Sequence, residues 1–131
     1  MKPNEGLKVL IVDDLESMRK EFGSICREFL PDVRIDEATD VVHAMELLQK
    51  EMPIYDAVFT DINMPNISGL KLISFVRALP LYNNVPIIVI SVLSARTDVE
   101  RALELGANGY LMRPLQRQDF EVVYLSYIQR K

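Results

Sequence analysis

The sequence predicts an α/β fold, a doubly wound five-stranded parallel sheet with helices on both faces. Short apolar runs recur along the 131 residues, among them 9–12, 57–59 and 87–90, and such runs are typical of strands covered on both faces. Each run is followed by a segment with apolar residues at helical spacing. Because right-handed crossovers carry each helix back over the sheet, this alternation predicts an open α/β sandwich with a single core.

The first unit begins with a predicted strand at residues 7–12, which Asp13 and Asp14 end. The apolar stripe of the following helix is formed by Met18, Phe22, Ile25, Cys26 and Phe29. Pro31 ends that helix, because proline lacks the backbone N–H that continuation requires. Since Cys26 is the only cysteine and lies in this stripe, it is expected to be a buried, reduced thiol without a chemical role.

The second and third units repeat the pattern. Residues 33–38 predict a shorter strand, and residues 55–60 predict a third strand with Asp61 at its carboxyl end. The apolar positions of the two helices are Val41, Ala44, Met45 and Leu48 for the second, and Leu72, Phe75, Val76 and Leu79 for the third. The segment between them contains turn-forming residues, namely Asn63, Pro65, Asn66 and Gly69.

The last two units complete the sheet. Residues 86–90 predict the fourth strand, ending at Ser91, and residues 110–112 predict the fifth. Thr97 and Glu100 have the spacing of a capping box for a fourth helix that is expected to stop at Gly106. The last helix is amphipathic, with apolar residues at Phe120, Val123, Tyr124, Tyr127 and Ile128. With no linker or repeat in the sequence, residues 1–131 are predicted to form one domain.

The composition excludes several classes of protein. Hydrophobic residues make up 49% of the chain and charged residues 26%, which is typical of a globular domain. The net charge of -4 and the scattered basic residues argue against a nucleic-acid surface, which needs clustered Lys and Arg. The apolar runs are too short to cross a membrane, and no basic leader precedes one, so a cytoplasmic protein is expected.

Polar residues follow four of the five predicted strands. In a parallel sheet, ligands bind outside the carboxyl ends of the strands, so these side chains are expected to converge on one cleft. They are Asp13 and Asp14 after strand one, Asp61 after strand three, Ser91 after strand four and Arg113 after strand five. Three carboxylates in one cleft repel one another unless a cation neutralises them, which predicts a hard, oxygen-preferring ion such as Mg²⁺.

Such a cleft has the groups needed for phosphoryl transfer. A carboxylate can attack phosphorus, and a metal ion, a hydroxyl and a guanidinium can stabilise the transferring group. Asp61, Ser91 and Arg113 are the candidates for the nucleophile, the hydroxyl and the guanidinium. Each of these residues also has an alternative role that is purely structural: strand-end Asp residues cap helices, Ser forms turns, and a residue before Pro114 is simply extended.

His43, near the acidic start of the second helix, is expected to be a solvated or partly packed side chain.

Four segments resemble the response-regulator receiver domain, in particular chemotaxis-type regulators. They are LKVLIVDD at residues 7–14, DAVFTDINMPNISG at 56–69, PIIVIS at 86–91 and GANGYLMRP at 106–114. The resemblance covers essentially the whole chain and implies a flavodoxin-like sheet with strand order 2-1-3-4-5. It also implies a switch of two-component signalling, which takes a phosphoryl group from a histidine kinase or phosphotransfer protein and acts on a downstream protein target or a fused output domain.

The resemblance assigns roles to individual residues. Asp61 would be the phosphoacceptor. Mg²⁺ would be bound by the side chains of Asp14 and Asp61, by Asp13 through water and by the backbone carbonyl of Asn63. Phosphorylation and dephosphorylation of the chain itself would be its only catalysis.

The family's switch has two further parts. Ser91 would be the hydroxyl that turns toward the phosphoryl group, while Tyr110 on strand five rotates inward. The altered surface would lie on the fourth helix, the fifth strand and the fifth helix, with Arg96, Val99, Leu103, Tyr110 and Arg117 as candidate members.

Two positions depart from the family pattern. Arg113 stands where the family has a lysine, and a planar guanidinium can clamp a phosphate with two donors but cannot place a compact charge at the same point. Val92 stands where the family usually has a very small residue that leaves phosphodonors access to the acceptor, which predicts slower phosphorylation.

Two alternatives stay open. A degenerate receiver would bind partners without phosphorylation, because Arg113 and Val92 have blunted the chemistry. A hydrolase acting on external phosphomonoesters would typically place its second acid two residues after the nucleophile, but Asp13 is followed two residues later by Leu15. No G-x-G-x-x-G or P-loop pattern follows the first strand, which disfavours a nucleotide cofactor.

Overall fold

The computed structural model describes residues 6–50, 52, 54–92 and 95–129, and these contain the expected parallel sheet. Its strands are β1 (Lys8–Val12), β2 (Arg34–Ala38), β3 (Ala57–Asp61), β4 (Ile87–Ser91) and β5 (Gly109–Met112). All neighbouring strands pair in parallel, in the order β2-β1-β3-β4-β5. The predicted fold class and strand order are therefore confirmed.

Helices cover both faces of this sheet. They are α1 (Glu16–Phe29), α2 (Val41–Leu48), α3 (Gly69–Ala78), α4 (Arg96–Leu105) and α5 (Arg117–Val123). One half of the core packs α2, α3 and α4 against the face that carries Leu10 and Val12. The other half packs α1 and α5 against the face that carries Val9 and Ile11. The strands are apolar on both faces because each face is covered by helices.

The predicted place of Cys26 is confirmed. Its side chain is fully buried in the core half beneath α1 and α5, close to a cluster of phenylalanine rings. Burial in this apolar environment raises the pKa of the thiol to about 12. The thiolate form that would react or bind a metal is therefore disfavoured at neutral pH.

Several predicted boundaries need correction. Strand β3 reaches one residue further than expected, because Asp61 pairs in register with Ile90, whereas β4 ends at Ser91 as predicted. The capping box at Thr97 is wrong: α4 begins at Arg96, and its N-cap residue Ala95 makes no side-chain cap. The predicted stop at Gly106 is confirmed, since this residue has the left-handed φ of 118° that glycine tolerates.

The last helix also differs from expectation at its end. Helix α5 is regular only to Val123, and Tyr124–Ile128 forms a π-helical turn. The π turn keeps Tyr124 and Ile128 buried but leaves Tyr127 43% exposed. The ring of Tyr127 packs over Gly109 of β5, where an added Cβ would lie 2.8 Å from the ring. The wider turn places Tyr127 beside the edge strand and not in the core.

Candidate functional site

The site lies where the carboxyl ends of four strands meet. Asp13 follows β1, Asp61 ends β3, Ser91 ends β4, and Arg113 follows β5. Here the structure forms a cavity of about 230 Å³, lined by Asp14, Leu15, Asp61, Asn63, Ser91, Val92 and Arg113. Asp13 reaches the same place through its contact with Arg113. The predicted convergence is therefore present, because parallel strands bring their carboxyl ends to one edge of the sheet.

The centre of the site is a cluster of three carboxylates. Asp13, Asp14 and Asp61 each offer an oxygen atom that lies within 4.8 Å of the others. Asp13 is 1% exposed and Asp61 is 6% exposed, whereas Asp14 is open to solvent. Closely spaced oxygen donors with one solvent-facing member fit Mg²⁺, which takes carboxylate ligands and keeps several of its waters. Asp13, Asp14 and Asp61 are the side chains that would hold this ion.

Asp13 is held in place from several sides. Its carboxylate Oδ1 accepts a hydrogen bond of 3.0 Å from the backbone N–H of Leu15, and its Oδ2 accepts from Arg113. Leu15 is the N-cap residue of α1 and makes no side-chain cap, so neither Asp13 nor Asp14 is the N-cap of this helix. The alternative that Asp13 or Asp14 serves only as the N-cap of α1 is therefore wrong. Asp13 does accept a hydrogen bond from one backbone N–H of the turn before the helix.

Arg19 is a contributor that the sequence reasoning missed. Its Nη1 donates to the backbone carbonyl of Asp13 at 2.8 Å, and its Nε pairs with Glu37 at 2.8 Å. The side chain is 11% exposed, so it ties α1 and β2 to the loop that carries the acids. Its acidic partner lies 18 residues away in sequence, and only strand pairing brings the two together. No local pattern in the sequence could have identified this role.

Arg113 supplies the positive charge of the site. Its Nη2 pairs with Asp13 Oδ2, and its Nη1 lies 3.6 Å from Asp61 Oδ2. The side chain is only 16% exposed, and its Nε is buried without a hydrogen-bond partner among the described residues. The guanidinium therefore spans two acids of the cluster, which the sequence could not show.

The environment of Asp61 disfavours its charged form. Burial raises the pKa of this carboxyl and the nearby charge of Asp13 raises it further, while Arg113 and the backbone N–H groups of Ile62 and Asn63 oppose the shift. The net direction is upward. An added cation would relieve this strain on the ionised carboxylate, which is a second reason why the cluster fits a metal.

We expect Asp61→Asn to raise the free energy of unfolding of the metal-free protein at neutral pH. A carboxyl whose pKa is raised by folding adds stability below its usual pKa and loses it as the pH rises through the folded value. The gain from the uncharged amide should therefore shrink as the pH falls. Urea unfolding in EDTA at a series of pH values measures this, with the exposed Asp32→Asn as control. A gain in the free energy of unfolding that is the same at every pH would contradict the electrostatic explanation.

The remaining predicted residues are placed as follows. Ser91 is 2% exposed, and its hydroxyl donates to the backbone carbonyl of Val92 at 3.4 Å. Asn63 and Val92 are exposed at the wall of the cavity. Tyr110 is 48% exposed and lies away from the cavity, in a groove between β5 and α4. His43 Nδ1 accepts from the backbone N–H of Thr39 at 3.3 Å, a local contact at a helix start.

Within the described part of the chain, no helix is both long and apolar enough to cross a membrane.

Comparison with known proteins identifies the family. A family model described as "Response regulator receiver domain" matches residues 9–124. The chain is 33% identical over 111 residues to chemotaxis protein CheY-3 of Vibrio cholerae serotype O1, covering 85% of this chain and 83% of that protein. It is 33% identical over 115 residues to the chemotaxis protein CheY homolog of Campylobacter jejuni serotype O:2, covering 86% of this chain and 85% of that protein.

Solved structures show the same fold. A response regulator receiver domain protein from Clostridium thermocellum superposes with a TM-score of 0.82 at 19% identity, covering 93% of this chain and 94% of that one. The receiver domain of sensor histidine kinase PA1611 from Pseudomonas aeruginosa PAO1, with magnesium coordinated in its active site cleft, gives a TM-score of 0.79 at 24% identity, covering 94% and 98%. Because the family model spans most of the chain and curated relatives share a third of the aligned residues, this chain belongs to the response regulator receiver domain family.

Proposed function

We propose that this chain is a phosphorylation-dependent switch of two-component signalling, in which Asp61 accepts a phosphoryl group in a Mg²⁺-dependent reaction. The observation that carries the proposal is the convergence of three carboxylates on a cavity that also holds a serine hydroxyl and a guanidinium. Receiver domains are signalling modules, and the curated relatives are chemotaxis proteins. We further propose that residues 1–131 act as one receiver domain in the cytoplasm.

The chemistry assigns a task to each group. A carboxylate oxygen of Asp61 attacks the phosphorus of a phosphohistidine on a histidine kinase or phosphotransfer protein. The new O–P bond forms as the P–N bond breaks, and the departing imidazole keeps the electron pair and takes up a proton. The groups around Asp61 must supply positive charge during the transfer, because negative charge spreads over the phosphoryl oxygens.

Mg²⁺ bound by the side chains of Asp14 and Asp61, by Asp13 through water and by the backbone carbonyl of Asn63 would neutralise part of that charge. The magnesium in the cleft of the Pseudomonas aeruginosa receiver domain supports this assignment. Arg113, already within 3.6 Å of Asp61, would pair with the phosphoryl oxygens, and the buried hydroxyl of Ser91 would donate to them.

The output of the switch would be a protein-binding surface. Ser91 ends β4, and Tyr110 lies exposed on the neighbouring strand β5. By the family resemblance, the Ser91 hydroxyl would turn toward the phosphoryl group while Tyr110 rotates inward. Tyr110 lines a groove with Arg96, Val99 and Leu103 of α4. Its movement would change the surface that a downstream protein target or a fused output domain reads.

Intact-protein mass after incubation with Mg²⁺ and acetyl phosphate tests this proposal. We expect a gain of one phosphoryl group, which is lost with EDTA and in Asp61→Asn but is kept in the exposed control Asp32→Asn. Because Val92 is 44% exposed at the wall of the cavity, we expect slow uptake that Val92→Ala accelerates. If neither acetyl phosphate nor a histidine kinase transfers a phosphoryl group, the switch proposal is wrong.

One observation favours a second candidate, a degenerate receiver that binds its partners without phosphorylation. Arg113 already pairs with Asp13 and lies near Asp61, so part of the site's charge is neutralised before any metal or phosphoryl group arrives. Binding to a partner that is unchanged in Asp61→Asn and by acetyl phosphate would support this candidate.

A further inference from the structure

We propose that Arg113 competes with the divalent cation for the acid cluster, so that this site binds Mg²⁺ more weakly than the same site with lysine at this position. The inference rests on the metal site of the proposed function and deepens it, because it names the residue that sets the metal affinity. It concerns binding in the absence of any phosphodonor.

The first step of the argument is that both oxygens of Asp13 are already engaged. Oδ1 accepts from the backbone N–H of Leu15, and Oδ2 accepts from Arg113 Nη2. Asp13 is 1% exposed, so bulk solvent does not weaken these contacts. A metal ion, or a water bound to it, that uses Asp13 must therefore share Oδ1 with the Leu15 N–H, or share Oδ2 with the guanidinium or displace it.

The second step is that Arg113 also occupies the space next to Asp61. Its Nη1 lies 3.6 Å from Asp61 Oδ2, so one rigid fork faces two of the three acids that would hold the metal. An ammonium group has three donors and can also pair with carboxylates, but it is a compact point charge on a flexible stem and lacks the rigid planar fork of a guanidinium. We therefore expect lysine at this position to compete less strongly than arginine, because a flexible stem does not hold its charge across both acids.

The third step is that the guanidinium has little else to hold it. Its Nε is buried and has no hydrogen-bond partner among the described residues, so the carboxylates are its main partners. Giving up Asp13 to a metal would leave Nη2 of this largely buried side chain without its carboxylate partner, which is costly. A phosphoryl group on Asp61 would offer new acceptor oxygens to the same fork. The competition should thus be strongest in the unphosphorylated protein.

Titration calorimetry with MgCl₂ at fixed ionic strength tests the inference on the full chain without a phosphodonor. We expect Arg113→Lys to bind Mg²⁺ more tightly than wild type, on the order of tenfold, which corresponds to about one charge-assisted hydrogen bond. Arg117→Lys is the matched control, because Arg117 pairs with Glu28 at 3.1 Å on an exposed surface, away from the cluster. It should leave the affinity unchanged.

A second pair of proteins shows whether Asp13 carries the effect. In an Asp13→Asn background, the replacement of Arg113 by lysine should change Mg²⁺ affinity much less than in wild type, because the shared carboxylate is gone. Backbone amide NMR spectra confirm that each variant is folded before it is titrated. Equal affinities for wild type and Arg113→Lys, or no binding by either, would overturn the inference. Phosphoryl uptake by mass spectrometry is a separate measurement, so the proposed function can stand when this inference fails.

Discussion

Gly69→Ala is expected to destabilise the protein by about 3 kcal/mol, at the upper end of the range for overpacked interior sites. An added Cβ at this residue would lie 2.1 Å from the backbone carbonyl oxygen of Asp61. That oxygen cannot move away freely, since the Thr60 hydroxyl donates to it at 2.8 Å and β3 is paired on both sides. The start of α3 or the end of β3 must shift.

The same substitution should also disable the site. Gly69 holds its place through a hydrogen bond of 2.8 Å from its N–H to the carbonyl of Ile62, in the loop after Asp61. A displacement of about 1 Å at the reacting group can cost on the order of a hundredfold in rate. We therefore expect Gly69→Ala to lose most phosphoryl uptake from acetyl phosphate even at temperatures where it remains folded.

Gly23→Ala is the matched control. Gly23 is also buried in a helix, but the nearest atom to its added Cβ is the tip of the exposed Arg27 side chain at 2.8 Å, which can move aside. Alanine is favoured over glycine inside a helix by about 1 kcal/mol, so this variant should be equal to or more stable than wild type. Urea unfolding measures both variants. Equal stability of Gly69→Ala and wild type would show that the contact with Asp61 does not constrain the site.

Arg77→Met is expected to lower the free energy of unfolding by about 2 to 4 kcal/mol, because several charge-assisted hydrogen bonds are lost at once. The guanidinium donates to the backbone carbonyls of Gly106, Tyr82 and Val85 and to the side-chain carbonyl of Asn108, at 2.7 to 3.1 Å. These bonds tie the end of α3 to the segments that precede β4 and β5. The melting temperature should fall by ~10 °C.

The control for this variant is Arg101→Met. Arg101 is exposed and pairs with Glu104 at 3.3 Å on the same helix, a contact worth about 0.2–0.5 kcal/mol. Because Arg77 acts at the amino ends of β4 and β5 and the site lies at the carboxyl ends, Arg77→Met should still take up a phosphoryl group below its melting temperature. A loss of uptake in the folded variant would contradict this separation.

The sequence by itself determined the fold class, the strand order through the family resemblance, and the residues at the carboxyl edge of the sheet. Apolar strand runs and helical stripes are local patterns, and parallel strands must bring Asp13, Asp61 and Ser91 to one edge. The ends of individual helices were predicted less accurately than the fold class. Thr97 has the spacing of a capping box, yet α4 begins at Arg96. The π turn at Tyr124–Ile128, whose Tyr127 ring lies against Gly109 of β5, is not encoded by helical periodicity.

Only the tertiary structure decided which side chains of the site contact one another. Arg19 reaches Asp13 and Glu37, and Arg113 reaches Asp13 across 100 residues of sequence, through strand pairings that local patterns do not specify. Arg77, which carries one of the largest predicted stability effects, is an unremarkable basic residue in the last turn of α3 when it is read in sequence. The physical reason is the same in each case: a long cationic side chain finds its partners among carbonyls and carboxylates that only the folded chain brings together.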